Sequence, residues 1–489
     1  MEDEKLESPG LQAPLHNSSA PRDREPDELA NLRKWQEQRL ERKLRGEYES
    51  AVLHLSELIN DNLKSPMRIS SVRVEGAKNT RQSFLGFLIN PFLANEDASD
   101  LESLLRTTRY ISHRLQETDI FQHVEAKIER ARDVLADAND VDIVFKTRER
   151  GRLFLNTSTE LGNNEGSASA TGRIRNVFGG AETFEANVSF GTKTRRSYRA
   201  SLGAPLTPDL GTYGELIAYG LDRDNSSWAS STEGLRGIKA LARTGTLKTG
   251  LHEVSYEAVL RHIRDIKPTA SVSIREAAGQ SVKSAISHSY SIDTRDDRIA
   301  STQGFYAKFF HEFAGLGGDT SFYKTEAEGQ VSRPVSENVS FSLAARVGLL
   351  HGVGKSPLFP DRFQLGGPLS VRGFKNNALG PRDGPDSLGG DLYWSAGVSI
   401  ISNIPRRAHW PIKFHGWVNA GRLDAMNKNL SLQDNIRDTV SKPSISAGVG
   451  LIYRFDPIRM EVNFGVPLVA SKSDGTRKGI QVGVGLEFL

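Results

Sequence analysis

Several clusters in the sequence have the residue types of catalytic or binding sites. The run 352–356, Gly-Val-Gly-Lys-Ser, resembles the end of a phosphate-binding loop, but the required first glycine, five positions before Gly354, is Leu349. The pair His311-Glu312 has no second His three residues later, and the 11 His residues show no metal-ligand spacing. The chain has 0 Cys, which excludes thiolate chemistry. These observations predict a non-enzymatic protein without a cofactor or metal, with a hydrolase using Ser and His as the alternative.

One long segment rich in Gly and Pro, residues 358–388, has Val371-Arg372-Gly373-Phe374 at its centre. Loops of this length without secondary structure are uncommon unless they have a function. One interpretation is an exposed loop with a turn at Gly373. The other is a loop that folds inward, where the Arg372 guanidinium binds a polar partner on a wall of β-strands.

The elements that would position this loop are β-strands. From Gly151 onwards apolar residues recur at every second position, which is the period of a strand. About 16 such segments fit residues 151–489, a reasonable allotment for tilted strands that cross a membrane. The opposite faces carry Ser, Gly, Asn, Glu, Arg and Lys, which suits a polar lumen. The pattern predicts an all-β transmembrane barrel of about 16 antiparallel strands rather than stacked soluble sandwiches.

Three further segments precede the predicted barrel. Residues 1–25 are polar and without apolar periodicity, which predicts a disordered tail. Residues 26–66 have the spacing of an amphipathic helix. Residues 67–150 show the order strand, helix, helix, strand, strand and predict an α+β domain. We expect its first helix to stop near Asn90, because Pro91 disfavours helical geometry in the residue before it.

Composition excludes other classes of protein. The chain has 63 basic and 60 acidic residues, a formal charge of +3, so we expect no nucleic-acid partner. No stretch approaches the roughly 20 unbroken apolar residues of a spanning helix, and a closed barrel is the other structure that satisfies backbone polar groups in lipid. Residues 1–4 do not begin a secretory signal or an Arg-rich presequence, and we expect no cleaved targeting signal.

The segment around Arg372 resembles the conserved sixth loop of the outer-membrane barrel-assembly superfamily, which includes bacterial BamA and two-partner secretion transporters. There the loop carries Val/Ile-Arg-Gly-Phe/Tyr, matched here by Val371, Arg372, Gly373 and Phe374 between the eleventh and twelfth predicted strands. Residues 69–148 resemble the POTRA domain, the soluble module that precedes such barrels. The resemblance covers everything except the tail and the first helix.

The resemblance also implies a partner for Arg372. In the superfamily the loop Arg pairs with an acidic residue in a wall motif of the form apolar, apolar, Asp, any residue, Gly. The matching stretch here is 417–421, Trp-Val-Asn-Ala-Gly, so we expect Asn419 and Gly421 to form the wall partner. Because Asn419 replaces the carboxylate, we expect a hydrogen bond rather than an ion pair.

The last predicted strand resembles the superfamily's sorting signal for barrel proteins, at Gln481, Gly483, Leu486 and Phe488. Barrel closure requires it to pair with the first strand, near 152–161. Glycines weaken a strand, so we expect this junction to act as a lateral gate that accepts an incoming strand. The residues assigned to the gate are Leu153, Leu155, Thr157, Gly479, Gln481, Gly483 and Gly485. A close-packed strand that never opens is the alternative.

A single POTRA domain and an acidic leader point, within the superfamily, to its mitochondrial branch, the sorting and assembly machinery (SAM). This resemblance implies insertion and folding of β-barrel precursor proteins into the mitochondrial outer membrane. It implies as partners the lipid bilayer and accessory subunits of an outer-membrane assembly complex, with the POTRA domain facing the intermembrane space. The alternative is a polypeptide secretion channel or pore that passes its substrates through the lumen.

Overall fold

The computed structural model describes residues 27–44, 54, 56–95, 100–162, 165–406, 410–455 and 458–485. Helix α1 spans Asp27–Leu44, and the side chains of residues 31–41 are exposed. The predicted tail and most of the apolar stripe predicted for 26–66 lie outside the described residues. No helix within the described ranges is long and apolar enough to cross a membrane.

An α+β domain follows in the predicted order of elements. These are β1 (Arg68–Glu75), α2 (Gln82–Asn95), α3 (Leu101–Glu117), β2 (Phe121–Arg130) and β3 (Asp140–Glu149). The strands form one sheet in the order β1-β3-β2. Its fully buried apolar side chains include Leu88, Ile111, Leu115, Ile143 and Phe145. The predicted POTRA fold is confirmed, while the exact domain boundaries remain predictions.

The expectation that the first helix of this domain stops near Asn90 is wrong. Helix α2 continues through Pro91 to Asn95. Proline removes one helical hydrogen bond and crowds the carbonyl four residues earlier. Here it falls in the last turns, after Leu85 and Leu88 have buried the apolar face of the helix. Packing of that face outweighs the local cost.

The C-terminal part is one antiparallel sheet of 16 strands. The first eleven are β4 (Leu153–Gly162), β5 (Glu165–Arg175), β6 (Thr183–Gly191), β7 (Thr194–Pro205), β8 (Thr212–Asp224), β9 (Thr232–Thr246), β10 (Gly250–Arg264), β11 (Gly279–Asp293), β12 (Gly304–Gly318), β13 (Phe322–Ser336) and β14 (Val339–Gly352). A long loop, residues 353–391, contains the short hairpin strands β15 (Arg382–Asp383) and β16 (Asp386–Ser387). The last five are β17 (Leu392–Asn403), β18 (Ile412–Asp424), β19 (Ser444–Phe455), β20 (Ile458–Val469) and β21 (Gly479–Gly485).

The two faces of this sheet have the opposite polarity to those of a soluble protein. On β14 the polar Ser340 and Ser342 are buried, whereas Phe341, Leu343 and Val347 are exposed. Apolar side chains on the outer face suit contact with lipid, and polar side chains on the inner face suit a lumen. The predicted transmembrane barrel of about 16 strands is confirmed, with the long loop between the eleventh and twelfth strands.

The sheet curves until its first and last strands lie side by side. Strands β4 and β21 are the two edges of the hydrogen-bonded order, and Cα atoms of the two strands come within 8 Å of each other. Over the described part of both strands no ladder joins them. We call this junction the seam. We call the end of the barrel where β4 begins the base, and the end where residues 353–391 connect the loop end.

The turn between β5 and β6, residues 176–182, is bonded to the segment before α2. Asn176 is buried with a φ of 53°, a conformation that Asn tolerates better than most residues. Its Oδ1 accepts from the Ala181 N–H at 3.0 Å, and its Nδ2 donates to the Asn79 carbonyl at 3.2 Å and to Thr80 Oγ1 at 3.0 Å. One amide side chain thus shapes the turn and holds the chain segment beside it.

Candidate functional site

The long loop, residues 353–391, folds among the inward faces of the strands and supplies an apolar core there. Its buried side chains and those of the wall form one cluster, with Phe363, Leu365, Val371, Phe374 and Leu379 from the loop and Phe322, Leu350 and Leu423 from the strands. The loop is also held by charge, because Arg261 on β10 pairs with Asp361, both almost fully buried.

The hairpin of the long loop binds the start of a short helix, α4 (Val272–Glu276), between β10 and β11. Asp386 Oδ2 accepts from the Ser271 N–H at 2.7 Å. Asp383 Oδ2 accepts from the N–H of Ser273 at 3.2 Å and from its hydroxyl at 2.7 Å. These hydrogen bonds from Ser273 hold the pKa of Asp383 below its usual range. The hairpin carboxylates therefore satisfy amides that a helix leaves unpaired at its N-terminus.

At the centre of the loop the Arg372 guanidinium is fully buried between β18 and β20. Its Nε donates to Glu461 Oε2 at 3.0 Å and its Nη2 to Glu461 Oε1 at 3.2 Å, while its Nη1 donates to Asn419 Oδ1 at 3.1 Å. The guanidinium lies 5.5 Å from the centre of the Trp417 ring. Asn419 thus accepts a hydrogen bond from Arg372, and the charge partner is Glu461, which the sequence analysis missed.

Glu461 is itself fully buried and organises the inner face of β20. Arg459 pairs with it from the same strand, and Asn463 Nδ2 donates to its Oε2 at 2.8 Å. The Asn463 Oδ1 accepts in turn from Trp417 Nε1 at 3.1 Å and lies 2.7 Å from His415 Nε2. Because an amide oxygen can only accept, Nε2 of that His must carry the proton.

The same network reaches a second loop, residues 294–303, which enters from the base between β11 and β12. Arg459 Nη1 donates to the carbonyl of Ile299 at 2.9 Å, and the Ile299 side chain is buried. Asp297 in this loop pairs with Arg454 of β19 at 2.7 Å. Loops from opposite ends of the barrel therefore meet at neighbouring side chains of β20.

Gly373 brings the loop backbone against the last strand. Its φ is 80°, and a Cβ there would lie 2.9 Å from the Cβ of Ser446, so both conformation and space favour glycine. The Gly373 N–H donates to Gln481 Oε1 at 2.8 Å, and Gln481 Nε2 donates to the Phe374 carbonyl at 2.7 Å. The amide of Gln481 thus ties β21 to the loop from inside the barrel.

Gly421 in the predicted wall motif makes room for the loop. A Cβ on Gly421 would lie 2.8 Å from Cγ2 of Val371 and 3.1 Å from the carbonyl oxygen of Trp394. Since Val371 is fully buried, a larger residue at 421 would displace the loop or the wall. The close approach of Arg372 to Asn419 depends on this small residue two positions away.

The residues assigned to the lateral gate lie on different faces. Leu153 and Leu155 of β4 are 75% and 73% exposed on the outward face, and by alternation Thr157 shares that face. On β21 the inward residues Gly479, Gln481, Gly483 and Gly485 lie opposite Gly465, Asn463, Glu461 and Arg459 of β20. Leu486 and Phe488 of the predicted terminal signal lie outside the described residues.

A readable signal for Glu461 was present in the sequence. On β20 the apolar Met460, Val462 and Phe464 alternate with Glu461 and Asn463, which places a carboxylate on the inward face. The wall motif that predicts a partner for Arg372 lies on β18 and does not extend to this strand. In the part of the chain that the structure describes, no group of three or more His, Asp or Glu residues is placed to hold a metal ion.

A 16-stranded membrane barrel whose lumen holds an inward-folded loop, anchored by a buried Arg, defines a class of barrel distinct from an open pore. The Omp85 superfamily domain matches residues 176–488. The chain belongs to the Omp85 superfamily, as the resemblance predicted.

Individual relatives narrow this assignment. The chain is 36% identical to a SAM50-like protein of Schizosaccharomyces pombe, over 90% of this chain and 95% of that protein. It is 32% identical to the human sorting and assembly machinery component 50 homolog, over 80% of this chain and 85% of that protein. Among solved structures, BamA from Haemophilus ducreyi lacking POTRA domains 1-3 matches with a TM-score of 0.73 at 17% identity, covering 86% of this chain and 84% of that one. These relatives confirm the predicted mitochondrial branch, and the structural match supports the fold.

Proposed function

We propose that this chain inserts and folds β-barrel precursor proteins into the mitochondrial outer membrane, and that the seam between β4 and β21 is its lateral gate. Relatives that match most of its length are named as components of the sorting and assembly machinery. The proposal includes accessory subunits as partners, an orientation with the POTRA domain in the intermembrane space, and a role without covalent catalysis.

The main support for a lateral gate is the way in which the two edge strands are paired. Every other neighbouring pair in the sheet is joined by a ladder, whereas β4 and β21 lie adjacent without one in the described residues. An unpaired strand edge is a template for another strand. A precursor strand that pairs there keeps its backbone groups bonded while its apolar face meets lipid, as a membrane strand must.

The long loop determines which side of the seam is fixed. Arg372 ties the loop to β18 and β20, and Gln481 ties β21 to the loop through two hydrogen bonds. Each of the two neutral hydrogen bonds of Gln481 contributes about 0.5–1.5 kcal/mol to holding β21 against the loop. Strand β21 is therefore held from inside, and its described residues form no ladder with β4. The edge of β4, which presents Leu153 and Leu155 outward, is the side that receives the incoming strand.

The same loop disfavours the secretion channel. Passage along the barrel axis would require the apolar cluster of Phe363, Val371 and Phe374 to leave the lumen. It would also expose the buried pair of Arg372 and Glu461. A route through the seam leaves both in place.

The test is site-specific crosslinking during import of a labelled precursor that carries one cysteine in its last strand. Because the chain has 0 Cys, Leu155→Cys supplies a single thiol at the seam. Phe309→Cys on β12, which also faces outward, is the matched control far from the seam. We expect a crosslink to position 155 that disappears when the precursor's terminal signal is destroyed.

Equal crosslinking at 155 and 309 would contradict the gate. Crosslinks only to an inward position such as Asn156→Cys, together with steady conductance in a planar bilayer, would support the channel. A bifunctional reagent joining Leu155→Cys to Val482→Cys should stop insertion, and insertion at the full rate with the seam closed would overturn the proposal.

A further inference from the structure

Helix α5 (Leu432–Ser441), between β18 and β19, buries polar residues and exposes apolar ones. Its buried side chains are Asn435 and Thr439. Leu432, Ile436 and Val440, spaced four residues apart, are 47%, 42% and 54% exposed. A helix that only covers a soluble protein core shows the reverse pattern.

The exposed stripe belongs to a helix that is firmly seated. Ser431 caps its first turn by accepting from the Asp434 N–H at 3.1 Å. The Asn435 Nδ2 donates to the carbonyls of Asn427 at 3.1 Å and Ser431 at 3.0 Å. The polar buried face is therefore satisfied by the loop that carries the helix, and the stripe is not the result of a frayed end.

The helix lies on the outer wall of the barrel at its loop end. Trp394 stands on the outward face of β17, since its neighbour Ser395 is buried on the inward face. The Trp394 Nε1 donates to the Thr439 carbonyl at 3.0 Å. Directly opposite Trp394 on β18 is Arg422, which pairs with Asp424 at 2.9 Å. An outward Trp beside an outward ion pair is typical of the level where hydrocarbon meets headgroups.

The helix has three distinct faces. At 100° per residue, the stripe is centred about 80° from the buried face and about 150° from the charged residues Asp434, Arg437 and Asp438. The stripe therefore runs along one flank of the helix, beside its buried face, and the charges lie on the far flank. Only the charged flank suits water.

We propose that α5 is an interfacial membrane-binding helix, with Leu432, Ile436 and Val440 inserted at the boundary between headgroups and acyl chains in the leaflet at the loop end. The helix contacts β17 and β18, and the outward apolar side chains of these strands, including Ile400 and Val418, form part of the lipid-contacting surface of the barrel. A helix with one apolar and one charged flank lies in this plane of a bilayer. It stands three strands from β21, on the side of the barrel that holds the seam.

The test uses the absence of native cysteine in the full chain. Ile436→Cys and Arg437→Cys are each labelled with an environment-sensitive dye and reconstituted in phosphatidylcholine–phosphatidylethanolamine nanodiscs. The two positions are neighbours in sequence and about 100° apart around the helix, one in the apolar stripe and one among the charged residues, which makes them a matched pair. We expect nitroxide on the headgroup or the upper acyl chain to quench the dye at 436. Quenching by aqueous iodide should be about threefold or more weaker at 436 than at 437.

Equal iodide quenching at both positions, without nitroxide quenching at 436, would overturn the proposal. If position 436 were open to iodide in nanodiscs but protected in the complex isolated from membranes, the stripe would bind a protein subunit instead, and lipid binding would be excluded. Retention of heat-modifiable migration by both labelled variants shows that each barrel is folded.

Discussion

The buried pair of Arg372 and Glu461 should hold the long loop in the lumen, and Glu461→Gln removes its charge with little change of shape. Breaking a buried ion pair costs about 3–5 kcal/mol, because the remaining charge is left uncompensated. Gln retains one acceptor oxygen, so one of the two hydrogen bonds from Arg372 can persist. We therefore expect Glu461→Gln to lower the free energy of loop opening by about 3 kcal/mol, the lower end of this range.

A cysteine at Val371, a position 0% exposed, reports that opening. Its reaction with a bulky maleimide requires the loop to leave the wall, so the labelling rate follows the opening equilibrium. Since about 1.4 kcal/mol is a factor of ten, 3 kcal/mol predicts labelling about 100-fold faster in the Glu461→Gln chain than in the Val371→Cys chain alone.

Glu185→Gln is the matched control. Glu185 pairs with Arg173 at 2.6 Å on the wall, but both side chains are about one-third exposed or more. Such pairs contribute roughly 0–1 kcal/mol, so labelling at position 371 should rise about fivefold at most. A similar, small increase in both variants would refute the assignment of Glu461 as the anchor of the loop.

Three further single substitutions and one double variant probe the same site by heat-induced unfolding of the barrel. Gly373→Ala should destabilise by about 1–3 kcal/mol, since it meets both a positive φ and the Ser446 Cβ; an unchanged midpoint would contradict the close approach. Gly421→Ala should destabilise the barrel by a similar amount, about 1–3 kcal/mol. Adding Val371→Ala to the same chain should recover part of that loss. Additive losses from the two substitutions would show that residues 371 and 421 do not touch. Asn419→Asp should stabilise the barrel by about 1 kcal/mol, because a carboxylate at this position gives Arg372 a charge-assisted hydrogen bond. The substitution also removes the Asn419 Nδ2, which has no hydrogen-bond partner among the described residues. A lowered unfolding midpoint would argue against Asn419 as a partner of Arg372.

The strands could be predicted because their signal is local. Alternation within one segment fixes the face of each side chain, so the number of strands and the position of the long loop follow from the sequence alone. The continuation of α2 through Pro91 could not be predicted, since buried side chains decide it rather than local preference. Helix α5 was missed because its inverted pattern makes sense only once the barrel wall beneath it is known.

The candidate site was predictable only in part. The residue types at Arg372 and Gly373 identify a loop that needs a partner, and Asn419 lies within hydrogen-bond distance of Arg372. Alternation on β20 places the Glu461 carboxylate on the inward face, but its pairing with Arg372 joins positions 89 residues apart, and no local pattern specifies that contact. The contact of Arg459 with Ile299 joins two regions 160 residues apart and had no sequence signal that we can identify.

The hydrogen bonds of Asn176 limit the changes that the turn between β5 and β6 can accept. Its amide closes the turn 176–182 through Ala181 and holds Asn79 and Thr80 at the same time. A residue inserted anywhere in that turn would shift the amide and break both sets of bonds at once. The turn between β5 and β6 should therefore tolerate neither epitope tags nor natural length variation, and such changes belong in turns whose side chains make no comparable bonds.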